Sequence, residues 1–233
     1  MQTIGILGGM SHESTAHYYR LINEGVRERL GGLHSARIVL VSVDFGNIEP
    51  LQAAGEWDAA GIVLAADARR IEAAGADFLL LATNTMHRCA DAIAATIDIP
   101  LLHLADATAD AVENAGIQRV GLLGTRYTME QRFYRERLER RGLQVDVPDA
   151  ADRAELNRII FDELCQGVVR DDSRASLQRM IRDLGDAGAT AVIAGCTEIT
   201  LLVGAADSPL PLFDTTAIHA DAAVARALDE PAA

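Results

Sequence analysis

The sequence predicts an α/β protein of two pseudo-symmetric lobes, each a parallel sheet flanked by helices, and three observations carry that prediction. Short apolar runs that end in polar residues alternate with longer amphipathic stretches, the pattern of parallel strands joined by helices. Hydrophobic residues make up 49% of the chain and aromatic ones only 4%, so the core is Ala, Leu, Ile and Val, which suits helices packed on a sheet. The chain also echoes itself. Val120-Gly-Leu-Leu-Gly-Thr125 follows Ile4-Gly-Ile-Leu-Gly-Gly9 at an offset of 116, Cys196-Thr197 follows Ala82-Thr83 at 114, and Leu210-Pro-Leu-Phe213 follows Ile99-Pro-Leu-Leu102 at 111. Three echoes in one order at nearly one spacing mark an internal duplication.

Taken in order, Thr3 to Leu7 is a short apolar strand, and Gly8-Gly9-Met10-Ser11 turns it into a helix. Ser11 is the expected N-cap, Glu13 lies in the first turn, and Tyr19, Ile22, Val26 and Leu30 have helical spacing up to the stop at Gly31-Gly32. The glycine turn has two readings: an anion site made of exposed N–H groups, or a tight turn with no ligand. It lacks the G-x-G-x-x-G spacing and the Gly-Lys-Ser/Thr of nucleotide-binding loops. Ile38 to Val43 is a second strand, followed by a polar loop through Asn47, Pro50 and Gln52. Ala59 to Ala74 reads as a helix, Phe78 to Leu81 as a buried strand, and Ile99 to Leu104 as another strand. His87 and Cys89 fall just inside the helix between them, where packing or capping is the commoner role for such residues. In the second half Val120 to Thr125 is a strand. Met129 to Arg141, Arg153 to Cys165 and Ser173 to Ala187 are helices, with Cys165 expected on an apolar face. A buried strand ends at Gly195-Cys196-Thr197-Glu198, and a last strand at Leu210 to Phe213 leads into a helix over 214–228. The repeat places 1–104 together with 211–233 in the first lobe and 105–210 in the second, the terminal strand and helix crossing back to finish the first.

The formal charge of −13 argues against nucleic acid or an anionic membrane surface as a partner, since phosphate-binding surfaces need clustered cations. No apolar run approaches the ~20 residues of a membrane span, and the first residues lead straight into a strand, so a cytoplasmic protein is expected. The three cysteines form no C-x-x-C pair and fit reduced thiols better than a disulfide frame or a zinc site. In open α/β sheets ligands bind at the carboxyl ends of the strands, which is where the segments Ala82-Thr83-Asn84 and Cys196-Thr197-Glu198 stand. A free Cys is most often a buried structural residue. At a strand end in each of two facing lobes, however, a thiol could take a proton from one side of a carbon while its counterpart returns one from the other.

Taken together, Ile4-Gly-Ile-Leu-Gly-Gly-Met-Ser11, Ala82-Thr-Asn-Thr-Met-His87, Gly124-Thr-Arg-Tyr-Thr-Met129 and Gly195-Cys-Thr-Glu198 resemble the aspartate/glutamate racemase family, including its broad-specificity amino-acid racemases. The resemblance runs nearly the whole length. It implies a racemase of two α/β lobes that works without pyridoxal phosphate, metal or any other cofactor on an amino acid bound between the lobes, through one Cys from each half, and a homodimer. Carried over by motif, Cys196 is the second catalytic cysteine, Thr83, Asn84, Thr85 and Thr197 hold the substrate's α-carboxylate and amino groups, and Met10 and Gln52 line the pocket. The first cysteine position is occupied by Ala82, by engineering or by nature, and alanine has no proton to give. Three functions therefore stay open: a racemase whose other face is impaired or served by a substitute such as Thr83 or His87, a one-thiol lyase or decarboxylase, and a non-catalytic amino-acid-binding protein.

Overall fold

The computed structural model describes residues 1–229 and holds two four-stranded parallel sheets of the same topology. In the first, β1 (Thr3–Gly8), β2 (Arg37–Ser42), β3 (Phe78–Leu81) and β4 (Leu101–Leu102) lie in the order β2-β1-β3-β4; in the second, β5 (Arg119–Gly124), β6 (Gln144–Asp146), β7 (Ala191–Gly195) and β8 (Leu212–Asp214) lie in the order β6-β5-β7-β8. The intervening helices are α1 (His12–Leu30), α2 (Phe45–Ala54), α3 (Trp57–Ala73), α4 (Ala90–Ala94), α5 (Leu104–Asn114), α6 (Arg126–Glu130), α7 (Arg132–Glu139), α8 (Ala150–Arg158), α9 (Asp171–Asp186), α10 (Ile199–Leu202) and α11 (Thr215–Ala227). The chain divides into two compact units, Met1–Ala107 with the segment from His219 on, and Thr108–Ile218. None of the helices among the described residues is long and apolar enough to cross a membrane.

The duplication is thus visible in the topology, and it corrects where the final strand goes. β8 does not return to the first sheet; it pairs with β7 in the register Val192↔Leu212, Ile193↔Phe213, Ala194↔Asp214, just as β4 pairs with β3. Each copy needs its own fourth strand, because the hydrogen-bonding edge of β7 would otherwise face no partner. Only α11, from His219 on, joins the first unit. There Ala220, Ala223, Val224 and Ala227 pack with Ile4, Tyr18, Ile22 and Val26, and the Gln2 N–H donates to the Ala227 carbonyl at 2.8 Å. Residues 230–233 of the segment expected in the first lobe lie outside the described residues.

Local chemistry accounts for the elements. Ser11 caps α1 as expected, accepting from the Ser14 N–H at 3.3 Å, and Gly31 ends it with φ 75°. The expected loop around Asn47 and Gln52 is instead α2: Asp44 accepts from the Gly46 N–H at 3.0 Å as its cap, and Ile48 and Gln52, four apart, form its buried side. The breakers Gly46 and Pro50 inside it hid a helix with only one narrow buried stripe. In the second unit the stretch expected as one helix up to Cys165 breaks after α8 into a π turn (Ile159–Glu163) and a 3₁₀ turn (Leu164–Gln166). The wider π turn shifts the helical face, so Leu164 is buried while Cys165 is exposed, against the expectation of a core cysteine. Glu163, at the end of the π turn, is buried with its carboxylate held by Arg158 at 2.8 Å and the Ser173 hydroxyl at 2.5 Å.

Three imidazoles cluster under the end of the first sheet. The His87 ring lies 4.6 Å from that of His103 and 5.9 Å from that of His219, centroid to centroid. His219 Nε2 donates to the Leu102 carbonyl at 2.9 Å, which leaves Nδ1 to accept from the Tyr18 hydroxyl at 3.0 Å. Burial lowers its pKa from 6.5 to about 4, so the folded protein keeps this ring neutral. The unfolded chain binds the proton first as pH falls, so stability is lost as pH drops below about 6.5, with the loss complete near pH 4. The expected loss across that window is about 3 kcal/mol. Urea midpoints measured between these pH values should fall more steeply for the native chain than for His219→Gln, which retains a donor for Leu102; equal slopes would show that another group controls acid stability.

Candidate active site

In the second unit the site begins with two glycines. β5 and β7 run side by side with Gly124 opposite Gly195, and the two backbones lie so close that a Cβ on Gly195 would come within 2.9 Å of the Leu123 carbonyl oxygen. The residues that follow, Thr125 and Cys196, are thereby neighbours at one sheet edge. The Cys196 thiol is buried at 8% exposure and donates to Glu198 Oε2 at 2.9 Å. Burial pushes this thiol well above its ordinary pKa, and the Glu198 carboxylate, by its charge and by accepting the thiol proton, pushes it further. At neutral pH Cys196 is therefore a protonated thiol with an anionic acceptor already in place. Beside it Thr197 and Thr216 share a hydroxyl–hydroxyl hydrogen bond of 3.2 Å, and the Thr215 hydroxyl ties the start of α11 to β7 through the Ala194 carbonyl at 2.8 Å.

The first unit presents the equivalent edge. Ala82 follows β3, is fully buried, and has its N–H bonded to the Leu7 carbonyl at 2.9 Å and its own carbonyl to the Ser14 hydroxyl at 3.2 Å. Thr83, Asn84 and Thr85, all buried, follow it into a 3₁₀ turn. Met10 and Gln52 are buried residues of this unit too, in the turn after β1 and on α2. In the turn after β1, Gly9 has φ +94° and leaves no room for a Cβ, which would stand 2.2 Å from the Val43 carbonyl oxygen; its N–H donates to the Thr15 hydroxyl at 2.7 Å. One N–H of the supposed anion cradle is thus used to hold α1 in place.

His87 and Cys89 have the structural roles expected for residues at their positions. His87 Nδ1 bonds to the Thr83 carbonyl at 2.7 Å and Nε2 accepts from the Leu104 N–H at 3.2 Å. With one nitrogen donating to backbone and the other accepting from it, His87 has no position from which to exchange a proton, and it drops out as a substitute for the missing thiol. Cys89 donates to the Trp57 carbonyl at 3.4 Å, and burial raises its pKa to about 11. Among the described residues no group of three or more His, Cys, Asp and Glu side chains is placed to hold a metal ion. Sequence reasoning gave Glu198 no role; an acidic residue two positions beyond a strand-end cysteine was the available signal.

The comparisons with known proteins agree with this arrangement. A model of the Asp/Glu/hydantoin racemase family matches residues 7–223. The chain is 24% identical over 226 residues to the broad-specificity amino-acid racemase RacX of Bacillus subtilis, which covers 95% of this chain and 96% of that protein. The crystal structure of a candidate Asp/Glu racemase from Yersinia pestis shares 54% identity at a TM-score of 0.93, covering 98% of this chain and all of the other. That of an aspartate racemase homologue from Pyrococcus horikoshii shares 33% at 0.87, again covering 98% of this chain and all of the other. With the paired sheets, the strand-end motifs and a family match over nearly the whole length, the chain belongs to the Asp/Glu/hydantoin racemase family.

Proposed function

We propose that this amino-acid racemase family member moves the α-proton of an amino acid with Cys196 as its acid and base, needs no cofactor, and is impaired on the opposite face of the carbon by Ala82. The observation that carries the reading is the Cys196–Glu198 pair. Held as a thiol, Cys196 can protonate a planar carbanion; to remove an α-proton it must first give up its own proton, and Glu198 is the acceptor in hydrogen-bond contact, a transfer that runs against the raised pKa of the thiol. Thr83, Asn84 and Thr85 of the first unit and Thr197 of the second are the residues proposed to hold the substrate's α-carboxylate and amino group, and Met10 and Gln52 those proposed to line the pocket. All 21 basic residues are arginine, so the sequence has no lysine to form a Schiff base with pyridoxal phosphate, which supports the cofactor-free reading.

The test follows exchange and inversion separately. Each enantiomer of aspartate and of glutamate is incubated with the protein in D2O; the α-proton is followed by NMR and the enantiomer ratio by chiral chromatography. The expected result is deuterium entering one enantiomer far faster than optical purity is lost. A single thiol can also protonate a planar carbanion left by a departing group, and Ala82 favours that second reading. Release of CO2 or ammonia would select the lyase or decarboxylase, and saturable binding without exchange would select a binding protein.

A further inference from the structure

A chain with 34 acidic residues and 21 arginines repels acidic ligands in general, so a cation at the site edge that serves no internal carboxylate stands out. Arg126 is such a cation. It follows Thr125 directly, and Thr125 is carried beside Cys196 by the Gly124↔Gly195 register of β5 and β7. The residue is exposed, and its backbone N–H donates to Asn157 Oδ1 at 2.9 Å, which fixes the start of α6 against α8. Its guanidinium lies 5.8 Å from the centre of the Tyr127 ring, within reach of a cation–π contact that leaves its N–H donors available. Several arginines that follow it are committed: Arg132 to Glu136, Arg153 to Glu130, and Arg158 to Glu155 and Glu163. Arg126 has no ion-pair partner among the described residues.

We propose that Arg126 is the specificity-determining residue of the Cys196 site, binding the side-chain carboxylate of an acidic amino acid and so selecting aspartate or glutamate over their amides. This rests on the reading of Cys196 as the proton-transfer group for an amino acid. A guanidinium can hold a carboxylate by two parallel N–H···O bonds, a match that an uncharged amide side chain cannot equal. Its backbone, tied to Asn157 at the start of α6, anchors the residue one step beyond Thr125, the neighbour of Cys196 at the sheet edge.

The test measures binding and turnover separately. Dissociation constants for aspartate, glutamate, asparagine and glutamine are determined by calorimetry on the native protein, Arg126→Gln and Arg126→Lys, alongside deuterium exchange. Arg126→Gln should weaken aspartate or glutamate binding by about 10- to 100-fold, the range of a hydrogen-bonded charged contact, while asparagine and glutamine change less than about two-fold. Arg126→Lys should recover part of the loss, as a single point charge would. An equal loss for acids and amides, or unchanged affinity for the acids, would overturn the assignment. Charge-selective binding without proton exchange would support Arg126 and sink the racemase reading. Exchange with unaltered acid affinity in Arg126→Gln would do the reverse, and no binding of any of the four amino acids to the native protein would overturn both.

Discussion

Cys196→Ala is expected to lower α-proton exchange by about 10³-fold or more while leaving the fold intact. Loss of a placed acid/base group costs about 10²- to 10⁴-fold, and in the proposed mechanism the thiol serves both directions of transfer. The substitution removes a sulfur from a pocket that is only 8% exposed, closed by Ile199 and Leu202 of the same buried cluster, so thermal stability should fall by about 1 kcal/mol. Glu198→Gln separates the two components of the pair. The glutamine removes the negative charge that raises the thiol's pKa, so Cys196 should titrate at lower pH, and alkylation rates against pH would show the shift. Exchange should still fall, because the amide cannot take the thiol proton. If Cys196→Ala exchanged the α-proton at the native rate, the proton-transfer group would lie elsewhere and the Cys196–Glu198 contact would be structural.

Much of the fold was legible because the duplication writes it twice. The offset between Ile4 and Val120 fixes β1 against β5, and that between Ala82 and Cys196 fixes the two strand ends that follow β3 and β7. What stayed hidden had little apolar signal or an irregular period. β6 is three residues long with only Val145 buried, α10 is one turn, and α2 carries the breakers Gly46 and Pro50, with its cap at Asp44 as the clue to a helix. Cys165 was misplaced because a π turn cannot be read from a period of 3.6 residues. The site was legible as positions and opaque as contacts. Nothing in the order Cys196-Thr197-Glu198 says that the carboxylate bends back to the thiol at 2.9 Å, and nothing around His87 says that backbone occupies both of its ring nitrogens. The destination of the last strand was misjudged for a related reason. Matching Leu210 to Ile99 correctly paired the strands as repeats, and a repeat belongs to its own copy's sheet rather than to the first.

Ala82→Cys should raise racemisation by about 10²- to 10⁴-fold, because under the proposed mechanism it supplies a second acid/base group at the position equivalent to Cys196. Inversion needs a proton delivered to the face opposite the one it left, and a methyl side chain can neither hold nor deliver it. Deuterium exchange should then extend from one enantiomer to both. Ala82 is fully buried within the cluster of Leu80, Tyr18, Ala220 and Ala223, so the added sulfur must fit among packed side chains and is expected to cost about 1 kcal/mol. Ala82→Ser, nearly the same size but a much weaker acid than a thiol, separates chemistry from packing and should leave racemisation near the native level. A folded Ala82→Cys protein that gained nothing would point to the one-thiol lyase or the binding protein. Rapid racemisation by the native chain would instead require another proton donor in the first unit; with His87 locked to backbone on both nitrogens, the Thr83 hydroxyl would be the next residue to remove.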